Sequence, residues 1–447
     1  MSKLPVTAIF DIGKTNKKFF LFDADLKEVY HVVTRLEALE DEDGFQSEPL
    51  EPLINWMLDT WGKALKLEDF KILKLNFSGH GASFVHLDEK GEPCTPLYDY
   101  LKPYPENLLK QFYKENGGKM AFCKATSSPA LAMLNSGLQI YFIKHTKPEL
   151  FKKIKYSLHL PQFLSFLFTG KKVSDYTSIG CHTALWNFES NDYHSWVDRE
   201  QIRKLFPPIL AGNTLLRTKA ELGAIPCGIG VHDSSAALLP YLEQEREPFA
   251  LLSTGTWAIC INPFNASPLT KKELKQDCLQ FLSVKGKPIK ISRLFIGEEH
   301  KYQVEQMYSF FNLPLGTYKK LTFDEVLYQK VSAKKEKQIN FHYLKPELFG
   351  IENTNLSDWS RFNDFEEAYY TFIHELTILQ KASISLVLNE GKIKRLFVDG
   401  GFNANSIFLE MLGKKLSDLE IIPSDFPNGS ALGAAMLVNQ KEIDKSV

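Results

Sequence analysis

A strand–loop–strand pattern occurs twice in the chain, and this repetition restricts the possible folds more than any other feature. The loop Asp11-Ile-Gly-Lys-Thr15 lies between the apolar runs Val6–Phe10 and Lys18–Phe22. The loop Ser253-Thr-Gly-Thr-Trp257 lies between Phe249–Thr254 and Trp257–Asn262. Each loop offers backbone N–H groups and hydroxyls, which are donors that suit phosphate oxygens. The repetition predicts two related halves that bind a phosphate-containing ligand.

Length and charge narrow the class of partner. A chain of 447 residues exceeds the size at which a single core stops growing, so two domains of about 200–250 residues are expected. The 53 basic residues nearly balance the 54 acidic ones, and the formal net charge is -1. This balance argues against nucleic acid or an anionic membrane as the main partner and favours a small molecule.

The six cysteines include no C-x-x-C pair, and several lie in apolar runs. This usage predicts reduced, mostly buried thiols rather than a disulfide framework or a zinc site. The N-terminus lacks a long apolar segment followed by a cleavage site, and no run approaches the ~18 apolar residues of a membrane span. We therefore expect a soluble, cytoplasmic protein.

The first half opens with a meander of three short strands, which we predict at Val6–Asp11, Lys18–Phe22 and Val29–Thr34. After Pro49, apolar residues at helical spacing predict a helix; they are Leu53, Met57, Trp61 and Leu65. Two further strands are predicted at Ile72–Phe77 and Phe84–Asp88. This order of elements is that of one half of an actin-like ATPase.

Helices are then predicted at Leu131–His145 and Leu158–Phe168, and the polar stretch Glu243–Pro248 is the best candidate for a domain boundary. Beyond it, the Lys-rich part from Thr270 to Lys290 is expected to form an exposed strand pair. The rest alternates helix and strand, which indicates a mainly parallel sheet. The predicted segments are Glu366–Asn389, Arg395–Asp399, Ala404–Leu416, Leu419–Ile422 and Gly429–Val438.

Asp11 closes the first strand, and Gly13 follows where the backbone must turn close to a ligand. A carboxylate at this point can hold the water shell of Mg²⁺ while Thr15 and nearby N–H groups meet phosphate oxygens. The alternative is a plain turn aspartate. In the second loop, Thr254, Gly255 and Thr256 supply hydroxyls and a flexible backbone at the corresponding place; the alternative there is an ordinary hairpin.

His232 and Asp233 lie where the glycine-rich segment Gly228–Asp233 leads into a predicted helix. Asp233 could act as a general base that accepts a proton from a substrate hydroxyl as its oxygen attacks phosphorus. An aspartate before small residues is also a common helix N-cap, and the residues alone do not decide between these roles.

Two more glycine-rich segments, Asp399–Asn403 and Pro427–Ala435, place glycines where a strand or loop meets a helix. Such glycines permit close approach to a flat adenine or ribose. The second segment is also typical of a helix that packs closely through small residues, and both interpretations are compatible.

Taken in order, these segments resemble the FGGY carbohydrate kinases from the first strand to the last helix. The first phosphate motif of that family resembles Asp11–Lys17, the second Ser253–Trp257, and the adenosine motif Asp399–Asn405 with Gly429–Ala435. The resemblance implies an α/β fold of two ribonuclease-H-like (actin-like ATPase) domains flanking a cleft. It implies an N-terminal domain over 1–245 that binds mainly sugar and a C-terminal domain over 246–447 that binds mainly ATP.

The resemblance also implies roles for individual residues. Asp233 corresponds to the catalytic base, and Asp11 positions Mg²⁺. ATP contacts are expected from Asp11, Gly13, Thr15, Asn16, Lys17, Thr254, Gly255, Thr256, Gly400, Gly401 and Asn403. Sugar contacts are expected from His80, Gly81, Ser83, His232 and Asp233.

His-Asp at the catalytic position and Gly-Thr-Trp in the second loop are most similar to the rhamnulokinase and fuculokinase branch. In Ser78–Asp88, which resembles the sugar loop, His80 stands in place of a usual aromatic residue and Ser83 in place of a usual Asp. A serine does not offer the acceptors of a carboxylate, so the substrate depends on this loop. His80 is interpreted either as a sugar-hydroxyl partner or as a histidine satisfied within the loop, and Tyr98-Asp99-Tyr100 could line the same pocket.

The sequence thus predicts an ATP- and Mg²⁺-dependent kinase of a ketose, with a 6-deoxyketose such as L-rhamnulose or L-fuculose as the favoured substrate. We expect a monomer or homodimer. Other ketoses or polyols, such as D-xylulose, L-ribulose and glycerol, are alternative substrates. A non-kinase actin-like ATPase is an alternative of another class; it would keep both phosphate loops but would not need a sugar loop or His232-Asp233. A kinase-derived regulator that binds sugar or nucleotide without catalysis is a further alternative, but the acidic groups assigned to the base and the metal are present and do not require it.

Overall fold

A computed structural model describes residues 3–334, 336–388, 392–424, 426 and 428–439. The chain divides into two compact units, each built from separated stretches of sequence. The first unit consists of Met1–Gln244, Gln280–Pro288 and Pro427–Val447, and the second of Glu245–Leu279 and Ile289–Phe426. The division into two family domains, 1–245 and 246–447, remains a prediction. Asn389 and Pro427, which end or begin predicted segments, lie outside the described residues.

The first unit is built on a seven-stranded mixed sheet. Its strand order is Leu215–Arg217, Pro226–Gly228, Phe70–Gly79, Leu4–Ile12, Lys17–Phe22, Glu28–Thr34, and Val231–His232 also pairs with Phe70–Gly79. The three predicted meander strands are therefore present.

Register in this sheet decides which residues meet. Leu4–Ile12 runs parallel to Phe70–Gly79, with Asp11 opposite Ser78. Val231–His232 also runs parallel to Phe70–Gly79, with Val231 opposite the same Ser78. Because the carboxyl ends of parallel strands meet at one edge of a sheet, Asp11, His80 and Asp233 are brought to the same edge.

The predicted helix after Pro49 is Leu50–Ala64, and it buries Leu53, Met57 and Trp61 against the sheet. These residues repeat at four-residue intervals, so they share one face of the helix. Leu65 follows the helix and is exposed. The C-terminal helix Gly429–Asn439 packs on the other side of the first unit, against Leu4–Ile12, Phe70–Gly79 and Asp233–Ala237.

The remaining elements of the first unit are short. The helices are Glu106–Glu115, Lys119–Ala125, Ser136–Thr146, Pro148–Phe151, Leu160–Thr169, Tyr176–Ile179, Ser195–Arg199, Asp233–Ala237 and Leu239–Gln244. A small three-stranded sheet contains Leu39–Glu40, Gln46–Glu48 and Leu97–Tyr98. Two-stranded pairings join Phe84–Leu87 to Tyr156–His159, Ser174–Asp175 to Ile209–Leu210, and Trp186–Asn187 to Asp192–Tyr193.

A six-stranded mixed sheet forms the centre of the second unit. Its order is Cys278–Leu282, Pro288–Leu294, Ala258–Asn262, Phe249–Thr254, Arg395–Gly400, Glu420–Pro423. Phe249–Thr254 pairs antiparallel with Ala258–Asn262 and parallel with Arg395–Gly400. This repeats the arrangement around Leu4–Ile12, so the α/β prediction with two related halves is confirmed. The helices are Lys271–Lys275, Ile296–Phe311, Glu325–Ser332, Phe365–Ser385 and Ser406–Lys415.

Two sequence expectations were wrong in detail. Leu131–His145 is not one helix, because a 3₁₀ turn at Ala132–Leu134 precedes the helix Ser136–Thr146. The part from Thr270 to Lys290 contains the expected strand pair, Cys278–Leu282 beside Pro288–Leu294, but this pair is not exposed. It begins with the capped helix Lys271–Lys275 and continues into strands that are mostly buried.

Lys290 shows why the charge pattern misled. Its ammonium is buried, and it donates to Oε1 of Glu273 at 2.7 Å and to Oγ of Ser267 at 2.8 Å. Burial of a lysine is tolerated when its charge is paired and hydrogen-bonded, so a Lys-rich segment need not be exposed.

Among the helices in the described part of the chain, none is both long enough and apolar enough to cross a bilayer.

Candidate functional site

The first phosphate loop is closed by its own backbone and by a buried lysine. The N–H of Gly13 donates to the carbonyl of Asn16 at 3.1 Å. Nζ of Lys17 donates to the carbonyls of Gly13 at 2.9 Å and Lys14 at 2.8 Å. Only 2% of Lys17 is exposed, so its ammonium supports the loop from inside. Thr15 is exposed at the tip of this loop, while Oδ1 of Asn16 accepts from Nε of Arg35 at 2.9 Å.

Asp11 is a buried carboxylate whose pKa is raised by its surroundings. It is 9% exposed, and burial raises its pKa to about 6, with the charge of Asp233 acting in the same direction and Lys18 opposing it. Two carboxylates close enough to raise a pKa lower their repulsion by sharing a proton or a cation. The sheet register agrees with this, because Asp11 lies opposite Ser78 and His232, which precedes Asp233, lies opposite Gly79.

The glycine-rich segment before Asp233 is fixed by side chains from neighbouring elements. Oγ of Ser165 donates to the carbonyl of Gly228 at 2.8 Å. The N–H of Gly230 donates to Oδ1 of Asn76 at 3.2 Å. Gly230 has a φ of +82°, and a Cβ there would collide with the carbonyl of Pro161. The conformation therefore requires glycine, and it fixes where Asp233 begins its helix.

Asp233 is the first residue of the helix Asp233–Ala237, and His232 occupies the N-cap position. The Asp233 side chain is 29% exposed, and its Oδ1 accepts from the N–H of Ser234 at 2.6 Å. A carboxylate that is partly exposed at a strand–helix junction is accessible to a substrate hydroxyl, as a general base must be.

His232 is held by several elements. Its N–H donates to Oγ1 of Thr177 at 3.0 Å, and its Nδ1 lies 3.4 Å from Oγ of Ser235. Nε2 lies 3.3 Å from Oδ1 of Asp233 and 3.5 Å from Sγ of Cys181. The ring is buried, so these contacts orient it toward the Asp233 carboxylate.

The predicted sugar loop lies beside these residues. His80 is buried, and its Nδ1 lies 3.1 Å from the carbonyl of Gly81. Burial lowers the pKa of His80, with the charge of Glu48 opposing that effect. A Cβ on Gly81 would lie 3.0 Å from Nε2 of His232. Oγ of Ser83 is buried with no hydrogen-bond partner in the part of the chain that the structure describes, so a sugar contact through Ser83 stays a prediction.

The sequence analysis did not select Glu48, and it placed Lys14 only within the first phosphate motif and Asp99 only in a motif that could line the sugar pocket. The structure brings the three side chains together. Nζ of Lys14 contacts a carboxylate oxygen of Glu48, lies 2.7 Å from Oδ2 of Asp99, and lies 4.5 Å from the ring centre of Tyr100. Burial alone would lower the pKa of Lys14, but the hydrogen bonds to Asp99 and Glu48 outweigh burial and raise it. Tyr98 is buried, and its hydroxyl donates to Glu42. Of the Tyr98-Asp99-Tyr100 motif, Asp99 and Tyr100 are thus the members near the loop.

In the second unit, the Ser253–Trp257 loop approaches two neighbouring backbones closely. Oγ1 of Thr254 donates to the carbonyl of Asp399 and accepts from the N–H of Phe402 at 3.0 Å. The carbonyl of Thr256 accepts from the N–H of Gly297 at 3.1 Å, and a Cβ on Gly297 would collide with the carbonyl of Gly255. The side chain of Thr254 therefore holds the fold, whereas Gly255 and Thr256 are exposed.

Sequence reasoning did not select Gly297, which lies at the start of the 16-residue helix Ile296–Phe311. No local sequence signal distinguishes Gly297, because Gly255, the residue that it packs against, lies 42 residues earlier in the chain. Trp257 ends the second phosphate loop and is 37% exposed. Its ring lies 4.6 Å from that of Phe295, and the guanidinium of Arg293 lies 5.0 Å from the Trp257 ring centre.

The predicted nucleoside segment begins at the end of the strand Arg395–Gly400. Gly400 has a φ of +83°, and a Cβ there would collide with the carbonyl of Thr254. Gly401 is exposed. Nδ2 of Asn403 donates to the carbonyl of Ser424 at 3.0 Å, while its Oδ1 is buried with no partner among the described residues. Gly400 is thus explained by folding, and Gly401 and Asn403 keep groups available for a ligand.

The helix Gly429–Asn439 is a packing element of the first unit. A Cβ on Gly433 would collide with the carbonyl of Ala236, in the short helix that starts at Asp233. The small residues therefore let two helix backbones approach closely, and the packing interpretation of this segment is confirmed.

A metal site with three or more His, Cys, Asp or Glu ligands is absent from the described residues. Mg²⁺ does not require such a site, because it usually keeps several waters and binds through one or two carboxylates and substrate phosphates. The buried carboxylate of Asp11, with its pKa raised to about 6 by burial and by Asp233, fits this mode.

Comparison with known proteins identifies the family. Residues 6–239 match the family described as "FGGY family of carbohydrate kinases, N-terminal domain". The chain is 23% identical over 201 residues to a rhamnulokinase of Oceanobacillus iheyensis and 26% identical over 171 residues to a rhamnulokinase of Halalkalibacterium halodurans. These matches cover 42% and 37% of this chain, and only 41% and 33% of the two relatives.

Solved structures share the fold across both units. A carbohydrate kinase from Novosphingobium aromaticivorans matches with a TM-score of 0.77 and 22% identity, covering 97% of this chain and 93% of that chain. A xylulose kinase from Rhodospirillum rubrum matches with a TM-score of 0.78 and 13% identity, covering 98% and 91%. The prediction of two ribonuclease-H-like domains is confirmed. The family match extends over more than half of the sequence, and the chain belongs to the FGGY family of carbohydrate kinases.

Proposed function

We propose that this protein transfers the γ-phosphoryl group of ATP to a primary hydroxyl of a ketose. The observation that carries the proposal is the meeting of Asp11, His80 and Asp233 at one edge of the first sheet, where Asp233 keeps a partly exposed carboxylate. Membership of the FGGY family supports the same reaction.

Asp233 serves as the general base. One of its carboxylate oxygens accepts the proton of the sugar hydroxyl while the hydroxyl oxygen forms a bond to the γ-phosphorus. The bond from that phosphorus to the β,γ-bridging oxygen breaks, and ADP carries the electron pair away. His232, whose Nε2 lies 3.3 Å from Oδ1 of Asp233, restricts the orientation of the carboxylate and contributes to sugar binding.

ATP binding involves exposed groups of both phosphate loops. In the first unit, Thr15 offers an exposed hydroxyl, Gly13 lets the loop backbone approach the phosphates, Asn16 lies beside them, and Lys17 maintains the loop shape. In the second unit, Thr256 offers an exposed hydroxyl and Gly255 an exposed backbone without a Cβ, and Gly401 and Asn403 contact the nucleoside. Asp11 is the residue that would hold Mg²⁺, and the bound ion would supply charge neutralisation for the phosphates.

The favoured acceptor is a 6-deoxyketose such as L-rhamnulose or L-fuculose. Two relatives with sequence matches to this chain are described as rhamnulokinases, and His-Asp with Gly-Thr-Trp agrees with that branch. The alternative acceptors are D-xylulose, L-ribulose and glycerol, since a protein of the same fold is described as a xylulose kinase. We place the reaction in the cytoplasm and assign mainly sugar binding to 1–245 and mainly ATP binding to 246–447.

ADP release from ATP and Mg²⁺ across these five acceptors tests the proposal. We expect turnover with at least one 6-deoxyketose at a kcat/KM at least tenfold above that for glycerol. If all five acceptors are inert, the deoxyketose assignment fails. If ATP is hydrolysed at a rate that no sugar changes, the sugar kinase assignment fails as well.

A further inference from the structure

An ion cluster outside the catalytic pair has no role in the function described so far. The ammonium of Lys14 bridges the carboxylates of Glu48 and Asp99, and its distance to Oδ2 of Asp99 is 2.7 Å. Both carboxylates are mostly buried, whereas the Lys14 side chain is 32% exposed. The cluster therefore presents one partly exposed ammonium with an acidic group on either side.

The cluster lies beside the predicted acceptor site. Lys14 belongs to the same loop as Asp11, and its Nζ lies 4.5 Å from the ring centre of Tyr100. The rings of Tyr100 and His80 are 6.4 Å apart. Tyr100 therefore lies between the Lys14 ammonium and the His80 ring of the predicted sugar loop.

The two carboxylates come from the small three-stranded sheet. Glu48 ends the strand Gln46–Glu48 and pairs with Leu97 of the strand Leu97–Tyr98. Asp99 follows that strand directly. Any shift between these two strands would therefore change the separation of the two carboxylates around Lys14.

A second, fully buried ion pair fixes the turn that carries Asp99. The N–H of Lys102 donates to the carbonyl of Asp99 at 3.0 Å. The buried ammonium of Lys102 contacts the buried carboxylate of Asp41 and lies 2.7 Å from Oδ2 of Asp43. Asp41 adjoins the strand Leu39–Glu40 of the same small sheet. Lys102 thus connects the Asp99 turn, next to one edge strand of that sheet, with Asp41, next to the other edge strand.

The bridging geometry suits neighbouring hydroxyls of a neutral sugar. An ammonium donates to a hydroxyl oxygen, and adjacent carboxylates accept from the hydroxyl hydrogens, so each group satisfies a different half of a diol. Because Glu48 and Asp99 already offset the charge of Lys14, the cluster offers little attraction to an anionic sugar acid.

We propose that Glu48, Lys14 and Asp99 form a hydroxyl-binding wall that selects neutral polyhydroxylated acceptors, and that Lys102 is the residue that positions this wall. The inference rests on the proposed function, since it assigns the wall to the acceptor of that reaction. Lys102 acts through Asp99 and has no contact with the acceptor of its own.

Steady-state kinetics of Glu48→Gln, Asp99→Asn and Lys102→Met with L-rhamnulose, D-xylulose and glycerol test the wall. Each variant should raise the KM for the two ketoses about tenfold or more. The KM for ATP should stay within twofold of the wild type for Asp99→Asn and Lys102→Met. Glu48→Gln is judged on the ketose KM alone, because Oε2 of Glu48 also lies 3.8 Å from Nζ of Lys17, which supports the phosphate loop. Glycerol, which has fewer hydroxyls to lose, should show a smaller change. Lys102→Arg should restore part of the ketose KM, because it keeps the buried charge.

Lys144→Met is the matched control, since it removes an ammonium that lies 2.6 Å from Oε2 of Glu200 elsewhere in the first unit. It should leave every KM within twofold. Thermal melting identifies a variant that fails to fold; Lys102→Arg and the two carboxylate variants then carry the test. Unchanged ketose KM values in folded Glu48→Gln and Asp99→Asn would overturn the inference and leave the proposed function standing.

If the wild type phosphorylates none of these acceptors, the proposed function fails separately. Calorimetric titration of L-rhamnulose into the wild type and into Glu48→Gln then tests whether the wall binds the sugar. Binding that is at least tenfold weaker in the variant supports it, whereas equal affinity, or no binding to the wild type, overturns it.

Discussion

Nε2 of His232 lies 3.3 Å from Oδ1 of Asp233. The two residues are neighbours in sequence but belong to different secondary-structure elements. His232 ends a strand that pairs with Phe70–Gly79, and Asp233 begins a helix. The 3.3 Å contact shows that both side chains face the same space. A base whose orientation is fixed in this way loses little freedom when a substrate arrives.

Asp233→Ala and Asp233→Asn should lower kcat for sugar phosphorylation by about 10²–10⁴-fold, because each removes the proton acceptor. ATP affinity should stay nearly intact, since the loops that hold phosphate are unchanged. Stopped-flow or coupled ADP release gives kcat, and equilibrium dialysis with ATP gives affinity. Sugar turnover retained in either variant would remove Asp233 from the role of base.

Gly81→Ala should reduce kcat about tenfold or more without unfolding the protein. The new Cβ would lie 3.0 Å from Nε2 and 3.1 Å from Cδ2 of His232, so the ring must move and disturb Asp233. The matched control is Gly62→Ala in the helix Leu50–Ala64, where a Cβ meets nothing within 4 Å. That control should keep full kcat and gain about 0.5–1 kcal/mol of stability. Equal kcat in both variants would contradict the argument.

Gly400→Ala should destabilise the second unit by about 3 kcal/mol or more. Its φ of +83° is unfavourable for alanine, and the Cβ would collide with the carbonyl of Thr254, the residue paired with it on the adjacent strand. Gly401→Ala is the stability control, since the nearest atom to its Cβ is 3.9 Å away. Chemical denaturation of both variants measures the difference, and similar midpoints would show that the close approach is not needed.

Acid should destabilise the first unit through two buried histidines. Burial lowers the pKa of His86 and of His159 to about 3 in the folded protein, against about 6.5 in an unfolded chain. As pH falls below about 6.5, the unfolded state binds protons that the folded state does not. Stability is therefore fully present above that pH and declines between about 6.5 and 3, by roughly 2 kcal/mol per histidine at pH 5.

Urea unfolding of the wild type and of His159→Gln between pH 8 and 4.5 measures this effect. The slope of unfolding free energy against pH should fall in the variant by about 1.4 kcal/mol per pH unit below pH 6. Above pH 7 the two slopes should agree. An unchanged slope below pH 6 would show that His159 is protonated in the folded state.

The order of strands and helices around the two phosphate loops was predictable, because each depends on a local pattern. Short apolar runs predicted strands at Val6–Asp11 and Phe249–Thr254, which the structure has at Leu4–Ile12 and Phe249–Thr254, and helical spacing predicted the helix Leu50–Ala64. The expectation that the strand pair at Thr270–Lys290 is exposed was wrong, because Lys290 is buried in the fold with Glu273 and Ser267 as hydrogen-bond partners. No local pattern of charges identifies these partners.

By itself, the sequence determined two related α/β halves, the order of the motifs and the residue types that suit phosphoryl transfer, since all of these are properties of neighbouring residues. Only the tertiary structure decided that Asp11 and Val231 share the partner Ser78 in one sheet register, and that Lys14 reaches Glu48 and Asp99. The physical reason is that pairings across many residues are selected by the summed burial and hydrogen bonding of whole elements, and no local pattern records that sum.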